Sequence, residues 1–284
     1  MTATPAPMRY RHSTHAGNHG DVFKHLVLSR LLRHAPRTAG PGLTYVDSHA
    51  GSGLYDLTAT GDVAAGAWTQ GIGRLWQATD APDACGDYLT CIRELNPDGV
   101  LRYYPGSPEV ARRLTGPHDS LVLCENQPEV GALLRDNYRG DRRVTAVLAD
   151  GWQVLGARPA TPTGHVLLVD PPYRSADDPE RAVALMRDAV RAAPDAVVAV
   201  WYPIEHGLDL TAFHRSLRDS HPARLHCAEL RVQPVAAGRW LSGSGLAVAN
   251  APKAVIDELA ELLPWLAALL DQGDAGWSLR AVPG

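Results

Sequence analysis

The sequence predicts an α/β protein built on an open, mostly parallel, doubly wound sheet. Three observations predict it. Short, continuously apolar runs recur along the chain, helical patterns separate them, and the runs end on carboxylates or on a glycine-rich loop. Runs without apolar–polar alternation suit strands covered on both faces. Strand–helix alternation places such strands parallel in one sheet.

The first residues, MTATPAPMRYRHS, form a short loose leader without the apolar stretch of a secretory signal. Asp21 is placed to cap a helix that runs to His34 and closes at Pro36, with Phe23, Leu26, Val27 and Leu31 near one face. The first strand covers 43–46, between a Pro-Gly turn and a Gly-rich loop. Further strands are predicted at 120–124, 144–148, 165–169 and 196–201. Helices are predicted over 128–138, 151–155 and 178–193. The last has Asp178 at its cap, Pro179 at the first helical position and Pro194 beyond its end. A helix near 208–217 follows, then two strand candidates, 224–233 and 245–250, that suit an antiparallel edge. A final helix begins near Pro252, and Pro264 should interrupt it.

One stretch is too long. About 65 residues separate Gly53 from Leu121, where a crossover needs a helix of ~10–12 residues. Segments 67–78 and 83–95 have helical patterns and are assigned to an inserted subdomain. The chain then divides into 1–54 (tail, first helix, first strand), 55–105 (the helical insertion) and 106–284 (the remainder of the main domain). The insertion is either two ordinary extra helices or a cap that grips substrate.

Hydrophobic residues make up 45% and charged residues 20%, so a packed core is expected rather than disorder. No run approaches the ~18–20 apolar residues of a membrane span. Cys85, Cys91, Cys124 and Cys227 form no CxxC pair and have no zinc spacing, which suits reduced cytosolic thiols. The net charge of −4 argues mildly against nucleic acid, though it says little about a local patch. Arg9, Arg11, Lys24, Arg30 and Arg33 crowd one end of the chain, as a phosphate-binding cluster or as a solvated helix face.

The strongest chemical signal is Asp170-Pro171-Pro172-Tyr173, directly after the fourth strand. Ligands of open α/β sheets sit beyond the carboxyl ends of the strands. An adenine N6 amine is a poor nucleophile, because its lone pair is delocalised into the ring. The Asp170 carboxylate and the Pro171 carbonyl can accept its two hydrogens, which favours positive charge on nitrogen as it attacks. Two prolines hold the backbone extended and remove competing donors. Tyr173 offers a flat face for an extruded base. The bland alternative is a rigid turn capped by Asp170.

Asp47-Ser48-His49-Ala50-Gly51-Ser52-Gly53, after the first strand, lets a ligand approach the backbone closely. A dinucleotide would call for GxGxxG opening a helix, which is missing; S-adenosylmethionine has no phosphate to cradle. Glu125, ending the second strand, suits ribose hydroxyls, and Asp150-Gly151, ending the third, suits an adenine amine. Each alone would be a surface cap; together they mark one site. The run from Tyr10 to His25 is crowded with histidines, but no HExxH or cysteine partner supports a metal. Lys24 suits the carboxylate of the cofactor's methionine part, or else is an exposed helix lysine.

These segments together resemble the RlmJ-type 23S ribosomal RNA adenine-N6 methyltransferases. The resemblance is carried by YRHSTHAGNHGDVFKH, VDSHAGSG, LRYYPGSP, DPPY and Val200-Trp201-Tyr202-Pro203, and it spans residues 8–277. It implies a Rossmann-like class I S-adenosylmethionine-dependent methyltransferase with a small helical insertion. It implies Asp170 as the catalytic residue, acting with Pro171 and Tyr173. It implies cofactor contacts from Lys24, His25, His49, Ser107, Glu125, Asp150, Gly151 and Asp170. Tyr10 and His12, on a mobile tail, would help close the site. The implied partner is 23S ribosomal RNA, protein-free or in an early precursor. The implied protein is a cytoplasmic monomer without metal or membrane contact. Ser52, Asn126-Gln127 and Asn250-Ala251-Pro252 depart from the family pattern without removing a functional group. The competing expectations are a DPPY enzyme acting on DNA adenine or protein glutamine, and a non-catalytic RNA-binding assembly factor.

Overall fold

The structure, a computed structural model, describes residues 15–36, 42–59, 66–153, 165–220, 224–236 and 241–282. Along the chain come α1 (His19–His34), β1 (Thr44–Asp47) and β2 (Leu54–Asp56). Next are α2 (Ile72–Gln77), α3 (Gly86–Leu95), β3 (Tyr103–Pro105) and α4 (Ser107–Leu114). Then follow β4 (Ser120–Glu125), α5 (Pro128–Asn137), β5 (Val144–Leu148), β6 (His165–Val169), α6 (Asp178–Ala192) and β7 (Val197–Ile204). The chain ends with α7 (Leu210–Ser220), β8 (Leu225–Arg231), β9 (Gly243–Ala249), α8 (Lys253–Leu270) and β10 (Gly276–Val282).

Eight strands form one sheet in the order β10-β8-β9-β7-β6-β1-β4-β5. The five from β7 to β5 run parallel to one another, and β9 runs antiparallel to both β7 and β8. Continuous apolarity has the consequence expected of it: successive residues of one strand enter two different cores. Tyr45, Leu121 and Leu168 pack with α1, α4 and α8 on one face. Val46, Val122 and Leu167 pack with α6 and α7 on the other. From β1 the chain moves outward to β4 and β5, then returns to lay β6 and β7 on the opposite side. The switch point lies between β1 and β6, where such sheets open a crevice.

Local outcomes differ from the sequence reading in instructive ways. Asn18, not Asp21, caps α1: its Oδ1 accepts from the Asp21 amide at 2.9 Å. Asp178 opens α6, but its carboxylate turns back to accept from the Arg174 and Ser175 amides. The segment at 67–78 breaks at Gly71 into a 3₁₀ turn (Ala67–Gln70) and α2. A Cβ there would lie 2.2 Å from the Gly17 carbonyl, so the helix yields to close packing with the loop before α1. Residues 151–153 form a turn, and the rest of the helix expected there lies outside the described residues. Pro264 does not interrupt α8; it faces solvent while Leu262, Leu263 and Leu266 carry the buried stripe through.

Between β1 and β4 the short strands β2 and β3 pair antiparallel, with α2 and α3 between them in sequence and α4 after them. The edge strand β10 pairs with β8. The four cysteines are buried thiols, and none is in a disulfide among the described residues. Among the described residues no helix is long and apolar enough to cross a membrane, and no group of three or more His, Cys, Asp or Glu could hold a metal ion.

Candidate active site

At the switch point the carboxyl ends of β1, β4, β6 and β7 border a cleft of about 760 Å³. That is the size of a small-molecule site. Ser48 donates its amide to the Leu168 carbonyl at 3.0 Å, and Ala50 donates to Cys124 at 2.8 Å. The loop after β1 is thus stitched to both neighbouring strands.

Asp170 follows β6 and stands in the cleft wall. Its Oδ2 accepts from Lys24 Nζ at 2.6 Å, and Lys24 Nζ also donates to Asp21 Oδ1 at 2.9 Å. Lys24 is 4% exposed, which excludes the surface-lysine reading. Burial opposes its charge, but Asp170 and Asp21 outweigh burial and raise its pKa. An ammonium has three donors, so one remains beyond these two bonds. Asp21 also accepts from the Gly17 amide at 3.0 Å. A residue expected to be only a cap therefore holds Lys24 in register with Asp170.

Beneath the loop lies Asp47, fully buried at the end of β1. Tyr45 and Ser107 each donate a hydroxyl to its Oδ2 at 2.7 Å, and the His49 amide reaches Oδ1 at 3.2 Å. Burial pushes its carboxyl up to about 6, with Asp170 adding to the rise and the Ser107 and Tyr45 bonds opposing it. Ser107 is thereby fixed at the start of α4. Glu125 ends β4; Gly51 donates to its Oε2 at 3.1 Å and Gln127 to its Oε1 at 2.8 Å. A carboxylate has about four lone-pair sites, so acceptor capacity is left over. Gly51 is at φ +62°, in the left-handed region that favours glycine, so Glu125 anchors a turn few residues could make.

Tyr173 is also left-handed, at φ +48°. Its hydroxyl donates to the Trp201 carbonyl at 2.6 Å, and the two rings lie 6.0 Å apart. A bulky residue at positive φ is an outlier of the kind that collects at functional sites. His49 and Trp152 pack edge to face at 5.0 Å, and the Arg181 guanidinium lies over the Trp152 ring at 4.4 Å. Burial lowers the His49 pKa against the pull of Asp170 and Asp150. His25 lines the cleft, with Nδ1 2.8 Å from the Tyr104 hydroxyl.

Lys24, His25, His49, Ser107, Glu125, Asp170, Pro171 and Tyr173 are thus brought into one cleft. Asp150 and Gly151 adjoin the lining residue Trp152 but do not themselves line the cleft. Asp150 accepts from the Trp152 amide at 3.2 Å, and a Cβ on Gly151 would lie 1.6 Å from the Ser48 carbonyl. Tyr10 and His12 lie outside the described residues. Sequence reasoning gave no site role of their own to Asp21, Asp47, Trp152 and Trp201. A signal existed for Trp152, which adjoins Asp150-Gly151, and for Trp201, which lies inside a quoted motif; none existed for Asp47 as a buried anchor.

The lining carboxylates are Asp21, Glu125, Glu129, Asp170, Asp178 and Glu205, against Lys24 and Arg174 as cations. Such a cleft repels polyphosphates and suits a cationic ligand. A sulfonium cofactor fits this donor set. Sheet order and cleft define a Rossmann-like class I methyltransferase, whose methyl donor is S-adenosylmethionine.

Comparison with known proteins goes further. The model of the family described as "Ribosomal RNA large subunit methyltransferase D, RlmJ" matches residues 40–282. The chain is 34% identical to ribosomal RNA large subunit methyltransferase J of Escherichia coli (strain K12), over 95% of this chain and 96% of that one. The Haemophilus influenzae protein of the same name is 33% identical, over 96% and 98%. The crystal structure of protein LPL1258 from Legionella pneumophila superposes with a TM-score of 0.84 at 26% identity, covering 94% and 98%. The chain belongs to the RlmJ family of ribosomal RNA methyltransferases.

Proposed function

We propose that this protein methylates the N6 amine of one adenine in 23S ribosomal RNA, acting as a cytoplasmic monomer on protein-free RNA or an early precursor. The observation that carries the reading is the Asp21–Lys24–Asp170 chain, which pins one oxygen of the DPPY carboxylate in the cleft. The names of the relatives supply the RNA class.

Bound S-adenosylmethionine supplies an electrophilic methyl group on a sulfonium sulfur. Lys24, His25, His49, Ser107, Glu125, Asp170 and, beside them, Asp150 and Gly151 would hold it. The protein's part is orientation and electrostatics. With Oδ2 held by Lys24, Asp170 Oδ1 accepts one hydrogen of the amine and the Pro171 carbonyl the other. Tyr173, locked by its bond to Trp201, supports the face of the base. The amine need not be deprotonated first; its proton turns acidic only as the nitrogen is alkylated. Tyr10 and His12 close the site over both ligands. Residues 55–105 form the inserted unit, between 1–54 and 106–284.

Tritiated methyl transfer to stripped ribosomal RNA, to DNA and to protein distinguishes the substrate classes. Label is expected in RNA alone; label in DNA or protein glutamine would replace the reading by another DPPY chemistry. Cofactor binding without label in any of them would indicate an assembly factor.

A further inference from the structure

His19 opens α1 and is buried. Burial lowers its pKa to about 4, against the Leu241 hydrogen bond and the Asp21 charge, so the ring is neutral near pH 7. Its Nε2 lies 3.1 Å from the Leu241 carbonyl oxygen. A carbonyl only accepts, so Nε2 carries the ring's one proton and donates it. Nδ1 then bears a lone pair, and among the described residues it has no hydrogen-bond partner. The one hydrogen bond of this buried ring goes to Leu241.

Leu241 is an unusual residue to hold. It is left-handed, at φ +44°, and almost fully buried, yet it lines the cleft. A bulky residue at positive φ persists only where its surroundings over-determine it. Here its carbonyl accepts from His19 and, at 3.3 Å, from Gln233 Nε2. The next amide, that of Ser242, donates to the Ile204 carbonyl at the end of β7 at 2.9 Å. α1 also closes on the side chain: a Cβ on Gly20 would lie 3.1 Å from Leu241 Cδ2. In the sheet, β6 separates β1 and β4, which carry His49 and Glu125 at their ends, from β7. Leu241 stands on the β7 side of the cleft, with Trp201, Pro203 and Glu205.

We propose that His19 is a positioning residue for the RNA substrate: through the Leu241 carbonyl it sets the Leu241 side chain as an apolar wall that bounds the target base beside Asp170 and Tyr173. This rests on the reading that the base enters there, and adds the residue that bounds it and the residue that holds that one in place. An apolar side chain limits how far the base can shift and offers no group to compete with Asp170 for the amine.

The test is steady-state methylation of stripped 23S ribosomal RNA, beside calorimetry with S-adenosylhomocysteine. His19→Leu should raise the KM for RNA about tenfold, with kcat and the Kd for S-adenosylhomocysteine within about twofold of wild type. His19→Gln, whose amide can donate where Nε2 does, should restore KM to within about threefold of wild type. Leu241→Ala should raise KM to a similar degree as His19→Leu. The double variant should stay within about twofold of Leu241→Ala, because the histidine acts only through that side chain. Equal losses for RNA and cofactor in His19→Leu would mark a structural role and overturn the proposal. So would an unchanged KM, no rescue by His19→Gln, or multiplied effects in the double variant. Should His19→Leu not fold, Leu241→Ala decides alone on the same KM and Kd criteria. A wild type that methylates no RNA defeats the substrate reading itself; a wild type active on RNA, with variants of unchanged KM, defeats only the wall.

Discussion

Asp170 carries the chemistry because four other residues fix where it points. Lys24 holds one oxygen, Asp21 holds Lys24, and Asn18 and Gly17 hold Asp21. Asp170→Ala should reduce methyl transfer by on the order of a thousandfold or more, the scale of losing a preorganised electrostatic contact to the reacting group. Calorimetry with S-adenosylhomocysteine should show affinity nearly kept. Substantial transfer by that variant would remove Asp170 from the mechanism. The sequence made DPPY legible because four residues in a row, after an apolar strand, leave few readings. It could not reveal Asp47: an aspartate at a strand end looks the same whether it faces ligand or, as here, sits under the loop accepting from Tyr45 and Ser107.

At the scale of elements, the five parallel strands were legible because most are largely apolar runs of ordinary length. The strands β2 and β3, of three residues each, are too short for any period to register. The edge strand β10 is half-exposed along its length, and its mixture of Trp277, Ser278, Leu279 and Arg280 gives no apolar run. A polar cluster secures that edge. Glu229 on β8 accepts from Tyr202 on β7 at 2.9 Å, and from Ser278 and Arg280 on β10 at 2.9 and 3.0 Å; His214 on α7 lies 3.0 Å away. Burial alone would raise the Glu229 carboxyl, but the bonds from His214, Tyr202 and Ser278 and the Arg280 charge outweigh it and lower it to about 2. The folded value lies below the unfolded one, so the stabilisation is present above about 4.5 and is lost as pH falls toward 2. Denaturant titrations across that window should show wild-type stability falling by on the order of 2–3 kcal/mol more than that of Glu229→Gln. Parallel pH profiles would show that the cluster contributes nothing.

For the whole molecule, the charge balance explains both what enters the cleft and what the sequence obscured. A net charge of −4 counted against nucleic acid, yet the family is one of ribosomal RNA methyltransferases. The conflict eases if only a base, and no phosphate, has to pass the six lining carboxylates. ATP and NAD, both polyanionic, should therefore show no binding by calorimetry at concentrations where S-adenosylhomocysteine saturates the site. Comparable affinity for ATP would contradict the charge argument.

The most direct test is nucleoside mass spectrometry of protein-free 23S ribosomal RNA incubated with the purified protein and isotopically labelled S-adenosylmethionine. The account predicts a single labelled N6-methyladenosine per RNA molecule, absent with Asp170→Ala. Label on any other nucleoside, or on the adenine ring instead of its amine, would contradict it.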